Sequence, residues 1–306
     1  MQRVHFIAIG GAAMHNLAIA VSRKNNFFVT GSDVNISDQT AEELKKYDLL
    51  PEQKGWFPDK ITKTLAAVVR ANEVTDDNPE LLRAEELGLK IFTYPEYIYQ
   101  QTRSKTRLII SGNSERKMVA AIIVYVLKQL KLSADYLISA TFDGLEFPVQ
   151  LSYDARIAVI EGEDCETRIN GCKPRFHYYK PHIAVLTGID VPVEQDDTRI
   201  AEYIGQFAEF IELMEFQGRL IYFGEDSIVN SLTENLRRDL VAFKYGTPEY
   251  EIRDGVCFIK TRKEYTRVAL KGGEKLQDIE AARLACRQIG VTDDQFYRVV
   301  ADFEGI

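Results

Sequence analysis

The stretch "IISGNSERKMVAAIIVYVLKQL", residues 109–130, sets the architecture that the sequence predicts. A short apolar run ends at Gly112, and a longer apolar run with helical spacing follows, which predicts a strand, a tight turn and a buried helix. A turn that holds a nucleoside triphosphate in this setting supplies a second glycine, then a lysine and a hydroxyl. The turn here reads Gly112, Asn113, Ser114, Glu115, Arg116 and Lys117. The outline of a phosphate loop is present, but the side chains that handle phosphate have changed.

Strands and helices alternate on the N-terminal side of this stretch as well. The runs "RVHFIAIGG", "AAMHNLAIAVSRK" and "FFVTGSD" predict a strand, a helix and a second strand joined by a parallel crossover. The polar and basic stretch "QQTRSKTR" then interrupts the apolar rhythm. We therefore predict an α/β protein with a Rossmann-like domain at residues 1–103 and a P-loop-type domain at residues 104–306.

Composition excludes several classes of function. The 306 residues are 45% hydrophobic, which is enough for two cores, and a formal charge of -8 without a long basic run argues against nucleic acid. No apolar stretch approaches the roughly 18 residues of a membrane span, so we expect a soluble, cytoplasmic protein. The cysteines form no C-x-x-C pair and are expected to be reduced thiols: Cys165, Cys172, Cys257 and Cys286.

The first turn of the chain is a second candidate site. Its candidate ligand-binding residues are Gly10, Gly11, Ala12, Ala13, Met14 and, at the end of the next strand, Asp33. Glycines let a backbone approach phosphates at a helix N-terminus, and an acid in that place can bond a ribose. The turn lacks the glycine series of the G-x-G-x-x-G dinucleotide pattern, which disfavours a nicotinamide cofactor. Another phosphorylated ligand and a purely structural turn both remain open.

The motifs "IAIGGAAMHNLA", "VTGSD" and "DNPELLRAEELGLKIFTYPE", followed by the strand–turn–helix after residue 107, resemble the Mur ligase family. The resemblance is greatest to the UDP-N-acetylmuramate:alanine ligases and the murein-peptide ligases, and it covers nearly the whole chain. It implies a UDP-sugar site on the first domain, ATP and Mg²⁺ on the second, and amide-bond formation through an acyl phosphate. The sequence stops at "ADFEGI", where the family continues into a third domain, so we expect that domain to be absent here.

The resemblance places the family's G-T-H-G-K-T-T loop on residues 112–118. Glu115 then replaces the second glycine, Arg116 the lysine, and Lys117 and Met118 the hydroxyls. A carboxylate about 4 Å from a phosphate charge costs on the order of 1 kcal/mol in water and about 4 kcal/mol at an effective dielectric near 20. These changes favour the loss of ATP binding.

Other family motifs have changed too. Glu161, in "IEGEDCETR", stands where the family keeps a magnesium-binding glutamate and is the one metal-ligand candidate; a solvated strand end is the alternative. The family's metal-site histidine is replaced within residues 191–193, and its adenine-facing amides are replaced within residues 274–278. In the first domain, Arg70 and Glu73 replace a small or neutral side chain and a histidine, and Glu73 beside a diphosphate would be unfavourable.

Together these observations predict a pseudoenzyme: a relative connected with peptidoglycan precursor synthesis or recycling that retains no catalytic residue. It is expected to bind a UDP-N-acetylmuramate-type molecule or a protein partner, and no membrane. The competing hypothesis is an active amide ligase whose altered loop uses Arg116 and Lys117, and ATP and Mg²⁺ are cofactors only on that hypothesis. A nicotinamide oxidoreductase that uses the first turn is a third. The sequence leaves the oligomeric state and the acceptor amine open.

Overall fold

The computed structural model describes residues 1–163, 173–191, 196–261, 264–269 and 276–306. The chain divides into two compact units. The first contains Met1–Gln101 and Val149–Tyr153, and the second contains Thr102–Pro148 and Asp154–Ile306. A segment from beyond residue 103 thus packs with the N-terminal elements. The domain boundary between residues 103 and 104 stays a prediction.

The N-terminal elements alternate as the apolar runs predict. They are β1 (Gln2–Ile7), α1 (Ala12–Ser22), β2 (Phe27–Ser32), α2 (Asp38–Lys45), β3 (Leu65–Arg70), α3 (Pro79–Glu86), β4 (Ile91–Thr93) and α4 (Tyr94–Thr102). The sheet is parallel, in the order β2–β1–β3–β4, and Val4 of β1 lies opposite Val29 of β2 and Ala67 of β3. Helices between apolar strands connect neighbouring parallel strands. The predicted α/β class is confirmed.

The elements after residue 105 begin with the quoted stretch. They are β5 (Thr106–Ser111), α5 (Arg116–Gln129), β6 (Asp135–Leu137), β7 (Val149–Gln150), β8 (Ile157–Glu161), β9 (Ile183–Leu186), α6 (Asp197–Glu212), β10 (Arg219–Phe223), α7 (Ser227–Thr233), β11 (Val241–Tyr245), β12 (Tyr250–Arg253), β13 (Val256–Lys260), β14 (Tyr265–Val268), α8 (Leu276–Gln288) and α9 (Asp293–Val300). All belong to the second unit except β7.

In the second unit, parallel strands follow the order β11–β10–β9–β5–β8–β6, so β5 is central. Strands β12, β13 and β14 form a separate antiparallel sheet. Helix α5 has an almost continuous apolar sequence because it is buried on most sides, with Val119, Ile122 and Ile123 inaccessible to solvent. The loop at residues 112–115 is therefore anchored at one end by the central strand β5 and at the other by the buried helix α5.

Three local features depend on specific contacts. Helix α6 begins at Asp197, because the Asp196 side chain accepts a hydrogen bond from the N–H of Arg199 and caps the helix. Residues Arg175–Tyr178 form a 3₁₀ helix, in which Phe176 is buried against the rings of α6. In helix α4, the buried Tyr97 contacts the ring of Phe6.

The structure also bears on membrane-spanning helices and on the cysteines. In the part of the chain that the structure covers, no helix is both long enough and apolar enough to cross a bilayer. Cys257 and Cys286 are buried free thiols, and burial raises the pKa of each. Cys165 and Cys172 lie outside the described residues.

Candidate functional site

The turn after β5 depends on a glycine at its first position. Gly112 has a φ of +120°, a conformation that L side chains rarely adopt. A Cβ built there would lie 2.3 Å from Oγ1 of Thr187 and 2.8 Å from the carbonyl oxygen of Gly188. The turn is therefore packed against the end of the neighbouring strand β9, and its first residue is restricted to glycine.

Several backbone N–H groups of this loop already have acceptors within the protein. The N–H of Asn113 donates to the carbonyl of Gly188 at 2.7 Å, and the side chain of Asn113 accepts from Thr187. The N–H groups of Arg116 and Lys117 donate, at 3.2 Å each, to carbonyls three residues earlier. A phosphate cradle needs such N–H groups to point at the ligand. Those three donors are directed at protein oxygens instead.

Arg116 closes over the loop rather than extending from it. Its Nη1 donates to the carbonyls of Gly112 at 3.0 Å and Asn113 at 3.1 Å. Its Nε lies 3.5 Å from Oε1 of Glu161, at the end of β8. The two side chains are only 16% and 3% exposed, so a guanidinium neutralises the buried carboxylate.

Glu161 Oε1 has the ion-pair contact with Arg116 but no hydrogen bond among the described residues, whereas its other oxygen is hydrogen-bonded. Its Oε2 accepts the N–H and the hydroxyl of Ser139, both at 2.7 Å. The neighbouring Glu163 pairs with Arg175, and Asp164 lies outside the described residues. Nowhere in the described ranges are three or more His, Cys, Asp or Glu side chains grouped to hold a metal ion. The residues present do not fit magnesium at Glu161.

Glu115 also turns toward protein groups. Its Oε1 accepts a hydrogen bond of 3.1 Å from the Nε2 of Gln277, at the start of α8. Burial above all, and then the negative charges of Asp278 and Glu115, raises the pKa of Tyr245 well above its ordinary value. Of the other altered motifs, Val191 supplies no metal ligand, and residues 192–195 and 270–275 lie outside the described part of the chain. ATP with Mg²⁺ does not fit this loop.

In the first unit, Asp33 stabilises the glycine turn. One carboxylate oxygen accepts the N–H of Gly10 at 2.8 Å, and the other accepts the N–H of Asn35 at 2.9 Å. A Cβ on Gly10 would lie 2.9 Å from Asp33 Oδ2, so the close approach requires a glycine. Ala12, Ala13 and Met14 form the first turn of α1, and Met14 is buried. Asp33 therefore orders the turn, whichever ligand the turn meets.

The turn borders a cavity of about 470 Å³ in the first unit. Its wall contains Gly10, Gly11, Asp33, Trp56 and Glu73. A Cβ on Gly11 would lie 3.3 Å from Oε1 of Glu73, so this carboxylate stands directly at the glycine turn. A negative charge in this place repels a diphosphate. The candidate residues are thus brought together, and their role as a UDP-sugar site stays a prediction.

A buried network behind the cavity was missed from the sequence. His5, in β1, and Glu80, in α3, are fully buried, and His5 Nε2 lies 3.4 Å from Glu80 Oε2. Glu80 also accepts the Ser32 hydroxyl and the N–H of Phe57, the residue after Trp56. Burial raises the pKa of Glu80, but hydrogen bonds and the charge of His5 outweigh it, and the pKa is lowered overall. In the sequence, the segment "NPELL" indicates only that Glu80 is an acidic residue in the first turn of a helix, which is a common position for one.

The fold and the loop define a class of protein: two α/β units, the second with a strand–loop–helix at the phosphate-loop position of nucleotide-binding proteins. Residues 3–106 match the family described as "Mur ligase family, catalytic domain". The chain is 21% identical over its full length to the UDP-N-acetylmuramate--L-alanine ligase of Ruthia magnifica subsp. Calyptogena magnifica. The equivalent ligase of Clostridium botulinum (strain Okra / Type B1) is 24% identical over 79% of the chain. Residues 3–106 thus match the Mur ligase family, and the chain as a whole is similar to the two ligases named above.

Among solved structures, the fold is similar to UDP-N-acetylmuramate:L-alanyl-gamma-D-glutamyl-meso-diaminopimelate ligase from Neisseria meningitides. The TM-score is 0.81 at 18% identity, and the match covers 100% of this chain and 99% of that one. The chain spans 66% of the length of the Ruthia relative and 50% of the Clostridium relative. Likeness at this identity establishes the fold, so activity and substrate are matters of proposal.

Proposed function

We propose that this chain is a non-catalytic relative of the Mur ligases, which acts by binding rather than by ATP-driven amide formation. The observation that carries the proposal is the position of Arg116. Its guanidinium bonds the loop carbonyls and neutralises Glu161, so it supplies a built-in positive charge at the acid that the family resemblance assigns to magnesium.

The loop backbone supports the same conclusion. To receive phosphates, the N–H groups of Asn113, Arg116 and Lys117 would have to leave their protein acceptors. Each internal hydrogen bond given up offsets the gain from a new one, and net gains are about 1 kcal/mol per bond. The Glu115 carboxylate adds repulsion in the same place. The attraction that Arg116 and Lys117 exert on an anion does not outweigh the lost hydrogen bonds and the repulsion by Glu115.

For the ligand, we propose either a UDP-N-acetylmuramate-type molecule at the first turn or a protein partner, in a cytoplasmic setting linked to peptidoglycan precursors. Similar proteins are named as UDP-N-acetylmuramate ligases, and the 470 Å³ cavity lies at the turn that the resemblance points to. Glu73 at that turn disfavours a diphosphate, which gives weight to the protein partner.

The test is calorimetric titration of the full chain with Mg-ATP, together with ADP release in the presence of UDP-N-acetylmuramate and L-alanine. We expect no saturable ATP binding up to millimolar concentration and no ADP release. A loop-restored variant, Glu115→Gly with Arg116→Lys and Lys117→Thr, serves as the matched comparison and is expected to gain measurable ATP affinity. ADP release by the unaltered chain that depends on both co-substrates would overturn the proposal.

The second candidate function is an active ligase with a divergent loop. Lys117 favours it, because this side chain is exposed at the loop and has no ion pair among the described residues. Any activity found should then fall when Arg116→Ala or Lys117→Ala is introduced. Ligation that is indifferent to both substitutions leaves this candidate without a mechanism.

A further inference from the structure

The second unit contains a large open groove far along the chain from the phosphate-loop position. Its volume is about 1290 Å³, and it is lined by residues from β11, β14, α8 and α9 and from the segments between them. Pockets for drug-sized molecules are typically about 300 to 1,000 Å³. The groove is therefore large enough for a short stretch of polypeptide.

Four cationic side chains from four different elements line this groove. They are Lys244 of β11, Arg267 of β14, Arg287 of α8 and Arg298 of α9. All four are exposed, and none forms an ion pair within the part of the chain that the structure describes. Like charges that converge on one groove repel one another, and an anionic ligand relieves that repulsion.

The other charged side chains of the wall are largely matched. Lys260 pairs with Glu249, and Arg283 pairs with both Glu280 and Asp293. Two further carboxylates, those of Glu264 and Asp294, also line the groove. The lining therefore has six cationic and five anionic side chains, an excess of one positive charge, although the whole chain has a formal charge of -8.

We propose that this groove binds an acidic peptide segment of a protein partner. Three of the four unmatched cations are arginines, whose planar guanidinium groups bind carboxylates in bidentate fashion and which are enriched at protein interfaces. The interspersed Glu264 and Asp294 suit a peptide, which can place an uncharged residue opposite each carboxylate. A nucleic acid strand, with a charge about every 3.4 Å, has no such freedom.

This inference rests on the proposed function, and it specifies the kind of protein partner that the function would involve. The probe is a fluorescein-labelled, twelve-residue peptide of alternating glutamate and serine, and binding to the full chain is followed by fluorescence anisotropy. We expect saturable binding that weakens as salt rises, because charges at an exposed groove are screened within about 10 Å at 0.1 M ionic strength. Arg287→Glu and Arg298→Glu are each expected to weaken binding at least tenfold.

The matched control is Arg238→Glu, which makes the same change of charge at an exposed arginine of the second unit outside the groove. If Arg238→Glu keeps its affinity for the peptide, and the thermal stability of all three variants is unchanged, the result supports peptide binding at the groove. An equal loss in the control, no binding by the unaltered chain, or tighter binding of a single-stranded oligonucleotide or of pyrophosphate would each overturn the proposal. ATP binding is measured separately, so a failure of peptide binding at the groove and a failure of the non-catalytic assignment give different results.

Discussion

Arg116 shows how one substitution changes the chemistry of a loop while leaving its fold intact. A lysine in that position presents a mobile point charge, whereas a guanidinium has several donors in a fixed plane. Here those donors contact two loop carbonyls and the Glu161 carboxylate at once. The positive charge is thus used in contacts within the protein's own structure.

Removal of this guanidinium should be costly. We expect Arg116→Ala to lower the free energy of unfolding by about 2–3 kcal/mol, because it leaves the buried carboxylate of Glu161 without its counter-charge. The measurement is urea denaturation of the full chain. Arg199→Ala, which breaks an ion pair whose side chains are 66% and 69% exposed, is the control and should cost no more than about 0.5 kcal/mol.

A double-substitution cycle separates this pair from general packing. Arg116→Ala combined with Glu161→Gln should cost less than the sum of the two single substitutions, because the neutral amide no longer needs a counter-charge. Additive costs would show that the pair is not coupled, and the observation behind the proposed function would then lose its force.

The strand–loop–helix formed by β5 and α5 is stable because its parts constrain one another. Strand β5 pairs on both sides, with β8 and with β9, and α5 buries an apolar face over the sheet. The turn between them then has little freedom, and Gly112 sits against Thr187 and Gly188 beyond β9. The packing of this element is by itself sufficient to require the glycine.

Substitution of that glycine tests the packing. Gly112→Ala should destabilise the chain by at least about 2 kcal/mol more than Gly144→Ala does, as measured by chemical denaturation. Both glycines have positive φ, +120° and +82°, but a Cβ at Gly144 would meet nothing within 4 Å. The second variant therefore reports backbone strain alone. Equal losses would mean that contact with the neighbouring strand end contributes nothing.

The molecule as a whole combines two units with opposite local charge patterns on an acidic background. The first unit places Glu73 at a turn that otherwise suits an anion, whereas the second gathers four unmatched cations at a groove. Because stability depends on proton binding by the entire folded chain, the buried Glu80 also affects how the first unit responds to acid.

The pKa of Glu80 is lower in the folded chain than the ordinary glutamate value of 4.5. Its ionised form is therefore favoured by folding, and the resulting stability is present above about pH 4.5 and lost as pH falls through the folded pKa. We expect the gap in unfolding free energy between the unaltered chain and Glu80→Gln to be widest above pH 5 and to shrink as the pH falls below that.

The fluorescence of Trp56, the single tryptophan of the chain, reports this unfolding in the first unit. Glu85→Gln changes an exposed carboxylate of the same helix and should show no pH-dependent gap. A gap for Glu80→Gln that stays constant between pH 7 and pH 3 would contradict a lowered pKa.

Local sequence was enough for the α/β class and for the strand–turn–helix after residue 107, since apolar period and turn chemistry are properties of neighbouring residues. The loss of phosphate binding at the loop stays a prediction. The contacts that individual side chains make in the folded chain could not be predicted from local sequence. Arg116 meets Glu161, Glu115 meets Gln277, and His5 meets Glu80, over 45, 162 and 75 positions. Such contacts arise when parallel strands and their helices are packed side by side, and no local pattern records them. The four cations of the groove likewise converge because four separate elements meet there in three dimensions.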